Sequence, residues 1–335
     1  MCGVGRDARL LGAEISRRAI VLGAIAGGAS AVTGLAAGRL ASAQVGHDPL
    51  LDGVIDLHVH ADPDVDARSL DDTQVTAKYA EVGARAVLLK NHYLVTSDRA
   101  YLARQAVGGI EVFGGLVLNK QVGGLNPAAI RTMSQIKGRF GKVVWFPTRD
   151  AEQHLSRFPR DDAPVAVTDE GGELLPETLE CLKVIAGENL AVFTGHLSAS
   201  DALAVLREAS ALGVKKMLVT HALTDPARYS VEQMQAAVAV GAMIEHVYLG
   251  TLAGPGALSP GQRDFINVPL SDYVAAIKAV GARNCVLSTD LGQAENPIHP
   301  MGFKVFIQEL MAAGLSADEI DLMARKNPAR LLDLA

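Results

Sequence analysis

From residue 50 onward, short apolar runs alternate with segments of helical periodicity. The runs that predict strands are Val54–Val59, Ala86–Leu89, Ile110–Leu118, Lys142–Phe146, Leu190–Thr194, Lys216–Thr220, Ala242–Glu245 and Cys285–Ser288. Near-continuous apolar strands that alternate with helices are typical of a parallel sheet covered on both sides. Eight such units predict an α/β fold, a single-domain (β/α)8 TIM barrel, and leave a doubly wound open sheet as the alternative.

Two of the predicted connections are long. Thr148–Leu175 follows the fourth predicted strand and Tyr248–Pro269 follows the seventh. Both are expected at the C-terminal face of the barrel, where barrel enzymes build their sites. Long loops at that face are expected to act as lids or specificity elements.

The first predicted strand ends in Asp56-Leu57-His58-Val59-His60. Because side chains alternate between the two faces of a strand, His58 and His60 are expected to point the same way and Val59 the other way. Two imidazoles so placed can bind one metal ion.

Polar side chains also end most of the other predicted strands. Six of the nine histidines lie at such ends, and the other three, His47, His154 and His299, fall in the linker and loops. The strand-end residues are Lys90, Asn91 and His92 after strand 2, His196 after strand 5, His221 after strand 6, Glu245 and His246 on strand 7, and Asp290 after strand 8. Such a set predicts a metal at the mouth of the barrel.

Composition narrows the alternatives. The 335 residues suit one barrel with additions, and the net charge of −6 argues against a nucleic-acid partner. The three cysteines, Cys2, Cys181 and Cys285, form no CxxC pair, so neither a cysteine zinc site nor a disulfide framework is expected.

The N-terminal segment resembles an export signal. Ser16-Arg17-Arg18 precedes a weakly apolar Ala/Gly-rich stretch, and Ala41-Ser42-Ala43 offers a cleavage site. We therefore expect residues 1–43 to be a twin-arginine signal, residues 44–52 a linker and residues 53–335 the barrel. The protein is then expected in the periplasm or secreted, without stable membrane insertion; a retained anchor is the alternative.

The strand-end residues, together with Asn327-Pro328-Ala329-Arg330-Leu331-Leu332, resemble the amidohydrolase superfamily over about residues 50–335. More narrowly, Asp56–His60 with Leu89-Lys90-Asn91-His92-Tyr93 is similar to an uncharacterised amidohydrolase-like family. This resemblance implies the barrel and a divalent metal, but no particular substrate.

The resemblance assigns roles position by position. His58, His60 and His196 would be metal ligands, and Asp290 a ligand or the general base. His221 would be a ligand of a second metal or would polarise the substrate carbonyl. Zn²⁺ is expected, with Mn²⁺ or Fe possible. Strand 4 ends in Trp145-Phe146-Pro147-Thr148, without the lysine or glutamate of the two-metal pattern, so one ion is favoured over two.

Four residues keep open alternatives. Lys90 is expected to take part in the chemistry, either by binding a substrate anion or as a carboxylated bridging lysine. His92, Glu245 and His246 are either site residues or buried polar groups that support the site. Arg149, Arg157 and Arg160, in the loop after strand 4, are expected on a solvated loop face.

The expected activity is hydrolysis of an amide, lactone or ester bond of a small molecule by metal-activated water, with Asp290, His221 and Lys90 as catalytic residues. A decarboxylase of the same superfamily, a phosphoesterase similar to histidinol-phosphatase-like barrels and a non-catalytic periplasmic binding barrel are the alternatives. A homo-oligomer is possible.

Overall fold

The computed structural model describes residues 47–334. Eight strands follow one another in a single parallel sheet in the order of the chain. Their bounds are β1 Ile55–His60, β2 Ala86–Lys90, β3 Glu111–Val117, β4 Gly141–Trp145, β5 Ala191–Phe193, β6 Met217–Val219, β7 Met243–Val247 and β8 Cys285–Ser288. The sheet curls into a nearly closed barrel, which confirms the predicted (β/α)8 fold.

Helices connect the strands on the outside of the barrel. They are α1 Asp72–Glu81, α2 Ser97–Val107, α3 Pro127–Gln135, α4 Glu152–Arg157, α5 Pro176–Gly187, α6 Ala199–Ala211, α7 Val231–Ala239, α8 Leu249–Leu252, α9 Leu270–Val280, α10 His299–Ala312, α11 Ala317–Asp321 and α12 Asn327–Leu331. Several helices begin with a side-chain cap; for example, Asp71 and Gln74 form a capping box at α1. The short helices α4 and α8 lie inside the two long connections, after β4 and β7.

Two apolar layers hold these elements together. The larger layer packs the outer face of the strands against the helices. The smaller layer fills the barrel interior with side chains such as Leu57, Leu88, Trp145 and Phe193. The interior is therefore a packed core below the site, as expected for a barrel of eight strands.

The first strand changes its side-chain alternation halfway along. The register of β1 on β2 shifts between Asp56 and Val59, and the Asp56 carboxylate accepts a hydrogen bond from the backbone N–H of His58 at 3.1 Å. Leu57 belongs to the barrel interior and Val59 to the outer layer, while His58 lies among polar groups at the barrel mouth. The irregularity thus lets Leu57 and His58 both face inward.

The C-terminal segment closes the opposite end of the barrel. Ala329, Leu331 and Leu332 belong to the interior apolar layer. Asp333 pairs with Lys216, directly before β6, at 2.6 Å. A turn of π-helix at Leu322–Lys326 leads into this segment. Among residues 47–334, the barrel interior is therefore accessible from the mouth formed by the carboxyl ends of the strands.

The predicted signal, residues 1–43, and residues 44–46 of the predicted linker lie outside the described residues. Between residues 47 and 334, the structure contains no helix that combines the length and the apolar character needed to span a bilayer.

His246 lies on the outer face of β7, away from the mouth. Its ring meets Tyr273 of α9 edge-on at 5.7 Å, and among the described residues neither ring nitrogen has a hydrogen-bond partner. The structure thus does not bring this candidate into the site. Burial lowers the pKa of His246 to about 4.

His246 predicts a pH-dependent loss of stability. An unfolded histidine titrates near 6.5, so between about pH 6.5 and pH 4 the unfolded chain binds a proton that the folded chain does not. The free energy of unfolding should therefore decrease as the pH is lowered through this window, and this residue should account for up to about 3 kcal/mol of the decrease. In His246→Leu, urea unfolding between pH 4 and pH 8 should show a shallower fall; parallel curves for variant and wild type would contradict the assignment.

Candidate metal centre

Three side chains from the two strands that meet at the barrel seam converge at the mouth. His58 Nε2 lies 2.9 Å from Asp290 Oδ1, and His60 Nε2 lies 3.2 Å from the same oxygen. The three potential ligand atoms are all within 4.8 Å of one another, and the three residues are buried. Among the described residues this is the one group of three or more such side chains with metal-binding spacing.

Two buried charged groups flank His58. Glu245 Oε2 lies 3.2 Å from His58 Nδ1 and also accepts the backbone N–H of His221 at 2.9 Å. Lys90 Nζ lies 2.8 Å from His58 Nε2. Glu245 therefore orients the ring so that its other nitrogen faces Asp290, as carboxylates do behind metal-binding histidines.

The ends of β1 and β8 are joined through the carboxylate of Asp56. It accepts the Thr289 backbone N–H at 3.0 Å, the Thr289 hydroxyl at 2.6 Å and the Tyr79 hydroxyl. The next residue, Asp290, donates its backbone N–H to His58 O at 2.9 Å. The buried Asp56 thus determines where Asp290 stands relative to the two histidines.

Local backbone conformation also serves the site. His221 and Asp290 have backbone φ angles of 29° and 54°, in a region that residues other than glycine rarely adopt. Gly292 follows Asp290 with a φ of 135°, and a Cβ there would lie 2.2 Å from His60 O. The chain therefore turns sharply after β8, directly against β1.

Five imidazoles form a closed circuit around the mouth. Ring centroids are 5.3 Å apart for His58–His60 and 4.9 Å for His60–His92. The circuit continues with 5.8 Å for His92–His196, 4.9 Å for His196–His221 and 5.8 Å for His221–His58. All five sequence-predicted site histidines other than His246 therefore lie together, although His196 and His221 stand outside the tight group of three.

Burial and charge set the protonation of the circuit. Burial, then the charge of Arg149, lowers the pKa of His92 well below its usual range, and burial lowers that of His221 to about 4. For Asp290, burial would raise the pKa, but the charges of and hydrogen bonds with His58 and His60 outweigh it and hold the pKa well below its usual range. Burial would lower the pKa of His58, but the charges of Asp290 and Glu245 raise it, so His58 would release a proton on binding a metal ion.

Lys90 is fully buried at the mouth. Burial lowers the pKa of its ammonium to about 8, against the opposing charges of Asp290 and Glu245. Burial raises the pKa of Glu245, but the charge of His58 and its hydrogen bond bring it below the usual value. Lys90 therefore loses its proton more readily than an exposed lysine.

A cavity of about 350 Å³ opens above the circuit. The predicted long loops form its roof: Phe158, after α4, stacks on Phe265, in the loop after β7, at 4.6 Å. Asp225 accepts Arg157 Nε at 3.2 Å and the Ile266 backbone N–H at 2.7 Å. Three loops are thus fastened to one another over a space that suits a small molecule.

The structure corrects the expectation for two of the three arginines after strand 4, Arg149 and Arg157. Arg149 lines the cavity, where it donates to Tyr93 OH at 2.6 Å and to Asp66 at 2.5 Å. Arg157 bonds Asp225, and Arg160 bonds Asp150 at 2.6 Å. Arg149 and Arg157 fix loops to one another and are partly buried, whereas Arg160 is exposed, as expected.

Sequence reasoning missed two histidines of the site. His154, on α4, lines the cavity and lies with its Nδ1 2.9 Å from Nδ1 of His196. His299, at the start of α10, is fully buried with its Nε2 2.9 Å from both His60 O and Leu291 O. Neither follows a strand directly, so only the folded loops reveal them.

Several solved structures share this fold. A PTE-like lactonase mutant from Deinococcus radiodurans is 14% identical, with a TM-score of 0.56 over 84% of this chain and 95% of that one. The probable dipeptidase PvdM from Pseudomonas aeruginosa is 14% identical, with a TM-score of 0.55 over 84% and 96%. The phosphotriesterase homology protein from Escherichia coli, complexed with phosphate in its active site, is 15% identical, with a TM-score of 0.53 over 85% and 99%. At these identities the likeness shows the fold alone, a (β/α)8 barrel.

The family itself is defined by sequence. The model of a family of unknown function, DUF6282, matches residues 53–245, and the chain belongs to this family. The matched region spans the ends of β1 to β7, from His58 to Glu245. No curated protein shows significant similarity to the chain.

The seam between β1 and β8 yields a prediction about Asp56. In Asp56→Asn one acceptor oxygen becomes an NH₂ group, which cannot accept from Thr289 or Tyr79, so buried donors lose their partner. We expect the free energy of unfolding to fall by about 1–3 kcal/mol in urea titrations. Tyr79→Phe removes one donor and leaves the seam bonds, so it should cost less; equal stability of Asp56→Asn and wild type would contradict this role.

Proposed function

We propose that the protein is a metal-dependent hydrolase that cleaves an amide, lactone or ester bond of a small molecule. The observation that supports this most is the convergence of His58, His60 and Asp290 on one point at the floor of a cavity of about 350 Å³. The solved structures with this barrel include a lactonase, a probable dipeptidase and a phosphotriesterase homologue, and their names agree with hydrolysis.

The residues fit a divalent ion on their own chemistry. His58 uses Nδ1 for Glu245, and its Nε2 faces the same point as His60 Nε2 and Asp290 Oδ1. Lys90 Nζ lies 2.8 Å from this Nε2, so a bound ion would replace that contact. Two imidazoles and a carboxylate are a typical catalytic ligand set with one position open, for which Zn²⁺ is the best candidate. One ion accounts for this group, and we propose one rather than two.

A bound ion would polarise the oxygen of the scissile bond and lower the pKa of a water molecule. Asp290, ionised and buried, accepts the proton of the attacking water and passes it to the leaving group. His221 holds the oxygen that gains charge, since its ring lines the cavity and its backbone is fixed by Glu245. Lys90 contributes a second polar contact to the substrate from the cavity wall.

His196 completes the proposed centre as a ligand or as a substrate contact. Its Nδ1 is engaged with His154, and its ring lies between those of His92 and His221. The loops that carry Phe158 and Phe265 exclude bulk water from the cavity below them.

We further propose that the chain acts in the periplasm or outside the cell after removal of residues 1–43. The support is the twin-arginine pattern and the Ala41-Ser42-Ala43 site. A fusion of the N-terminal segment to a reporter that is active only after export, with Arg17 and Arg18 changed to Lys as the control, tests this directly.

Metal analysis of the purified mature protein tests the centre. We expect about one equivalent of zinc in the wild type, and its loss in His58→Ala and His60→Ala, because each variant removes one of the few strong ligands. His246→Leu is the matched control, because that histidine is equally buried but lies on the outer face of β7. Retention of full zinc by His58→Ala would contradict the proposed ligand set.

Turnover tests the reaction. The zinc-loaded protein should hydrolyse members of a panel with an aryl ester, a lactone and a dipeptide, and Asp290→Asn should lower kcat by about a hundredfold or more because it removes the proton acceptor. Decarboxylation of an aromatic acid without hydrolysis, or phosphate release from an aryl phosphate, would instead point to the lyase or to the phosphoesterase.

A further inference from the structure

Three buried polar side chains at the cavity wall are joined by hydrogen bonds in a row that ends at His92, and this row determines which ring nitrogen of His92 carries the proton. Asn119, after β3, Thr148, after β4, and His92, after β2, are in contact with one another, and none is more than 7% exposed. His92 lines the cavity, but the group of three potential ligands does not include it.

The orientation of the Asn119 amide follows from the backbone. Its Oδ1 accepts the N–H of Thr148 at 2.9 Å and that of Asp150 at 3.3 Å, so the oxygen must face these two donors. Its Nδ2 then donates to Thr148 Oγ1 at 2.8 Å and to His92 O at 2.9 Å. The opposite assignment would place an NH₂ group against two N–H donors.

The hydroxyl of Thr148 comes next. Its oxygen already accepts from Asn119, and among the described residues the acceptor available to its proton is His92 Nδ1, 2.8 Å away. A buried hydroxyl without an acceptor would be costly, so the bond runs from Thr148 O–H to Nδ1. A neutral imidazole carries one N–H, and with Nδ1 accepting, that N–H is at Nε2.

We propose that His92 is a hydrogen-bond donor to an oxygen of the substrate, held in its Nε2–H form by Thr148 and Asn119. A protonated nitrogen has no lone pair for a metal, so this role separates His92 from its neighbour His60, whose ring lies 4.9 Å away. The inference rests on the proposed function for the identity of that oxygen, a carbonyl oxygen that gains negative charge; inorganic phosphate serves below as an anionic probe of the same position. His92 would then act together with His221 from the other side of the circuit.

The tautomer is tested first, without turnover. In ¹⁵N NMR of the zinc-loaded protein, His92 Nε2 should show the shift and proton coupling of a protonated nitrogen and Nδ1 those of a hydrogen-bonded acceptor; His92→Gln identifies the signals by their loss. Thr148→Val, which keeps the shape and removes the hydroxyl, should release the tautomer preference, and Thr148→Ser should restore it. A His92 nitrogen with the shift of a metal-bound atom would overturn the proposal.

Binding of inorganic phosphate tests the donor role. Calorimetric titration of zinc-loaded protein should give about ten- to a hundredfold weaker binding for His92→Leu, the usual loss for a hydrogen bond to a charged group. His92→Gln, which keeps an N–H near the position of Nε2, should recover part of the affinity. Zinc content should remain at the wild-type value in both variants.

Each contrary result has its own meaning. Loss of zinc in His92→Leu would make His92 a ligand, and unchanged phosphate affinity, or no binding by the wild type, would leave it without contact to the oxyanion; each overturns the inference. A wild-type protein that binds no zinc would instead refute the proposed function, whereas the tautomer experiment would still report on Thr148 and His92.

Discussion

The seam between the first and last strands is the constraint on which the site depends. Seven of the eight strand contacts are ladders. The chain after β8 meets β1 through a single bridge, Val59 to Leu291, a few backbone hydrogen bonds and side chains. Asp56 adds to this closure by accepting from the backbone N–H and the hydroxyl of Thr289. The same bonds bring Asp290 to the two histidines, so barrel closure and the arrangement of the centre depend on the same contacts. A change in either strand end would therefore alter both stability and metal affinity.

The buried carboxylate at this seam is unusual in its energetics. Burial raises the pKa of Asp56 to about 6, although the bonds from Thr289, Tyr79 and His58 favour the charged form. The charge is tolerated because each lone pair faces a donor. Burying a charged group costs free energy, but a fully hydrogen-bonded network specifies one arrangement of the strand ends. A catalytic centre needs that rigidity.

Periodicity was sufficient to predict the barrel and the strand ends. Every predicted strand was confirmed within a few residues, because runs of buried strands in a parallel barrel are apolar on both faces. The pairing of His58 with His60 on one face also follows from alternation alone. The arrangement of both relative to Leu57 does not, since it depends on the irregularity in β1 that Asp56 stabilises. A polar side chain that bonds the backbone two residues later leaves no trace in periodicity.

The loops account for what the sequence could not predict. Arg149 and His154 reach the cavity because the connection after β4 folds back over the mouth, and loop paths depend on long-range contacts such as that of Arg157 with Asp225. The tautomer of His92 depends on Asn119, which follows β3, and an asparagine at that place gives no sign of a metal site.

The central claim is tested most directly by anomalous diffraction from crystals of the zinc-loaded mature protein. The account predicts one strong peak about 2.0–2.2 Å from His58 Nε2, His60 Nε2 and an Asp290 oxygen; a peak away from these atoms, or none, would contradict it.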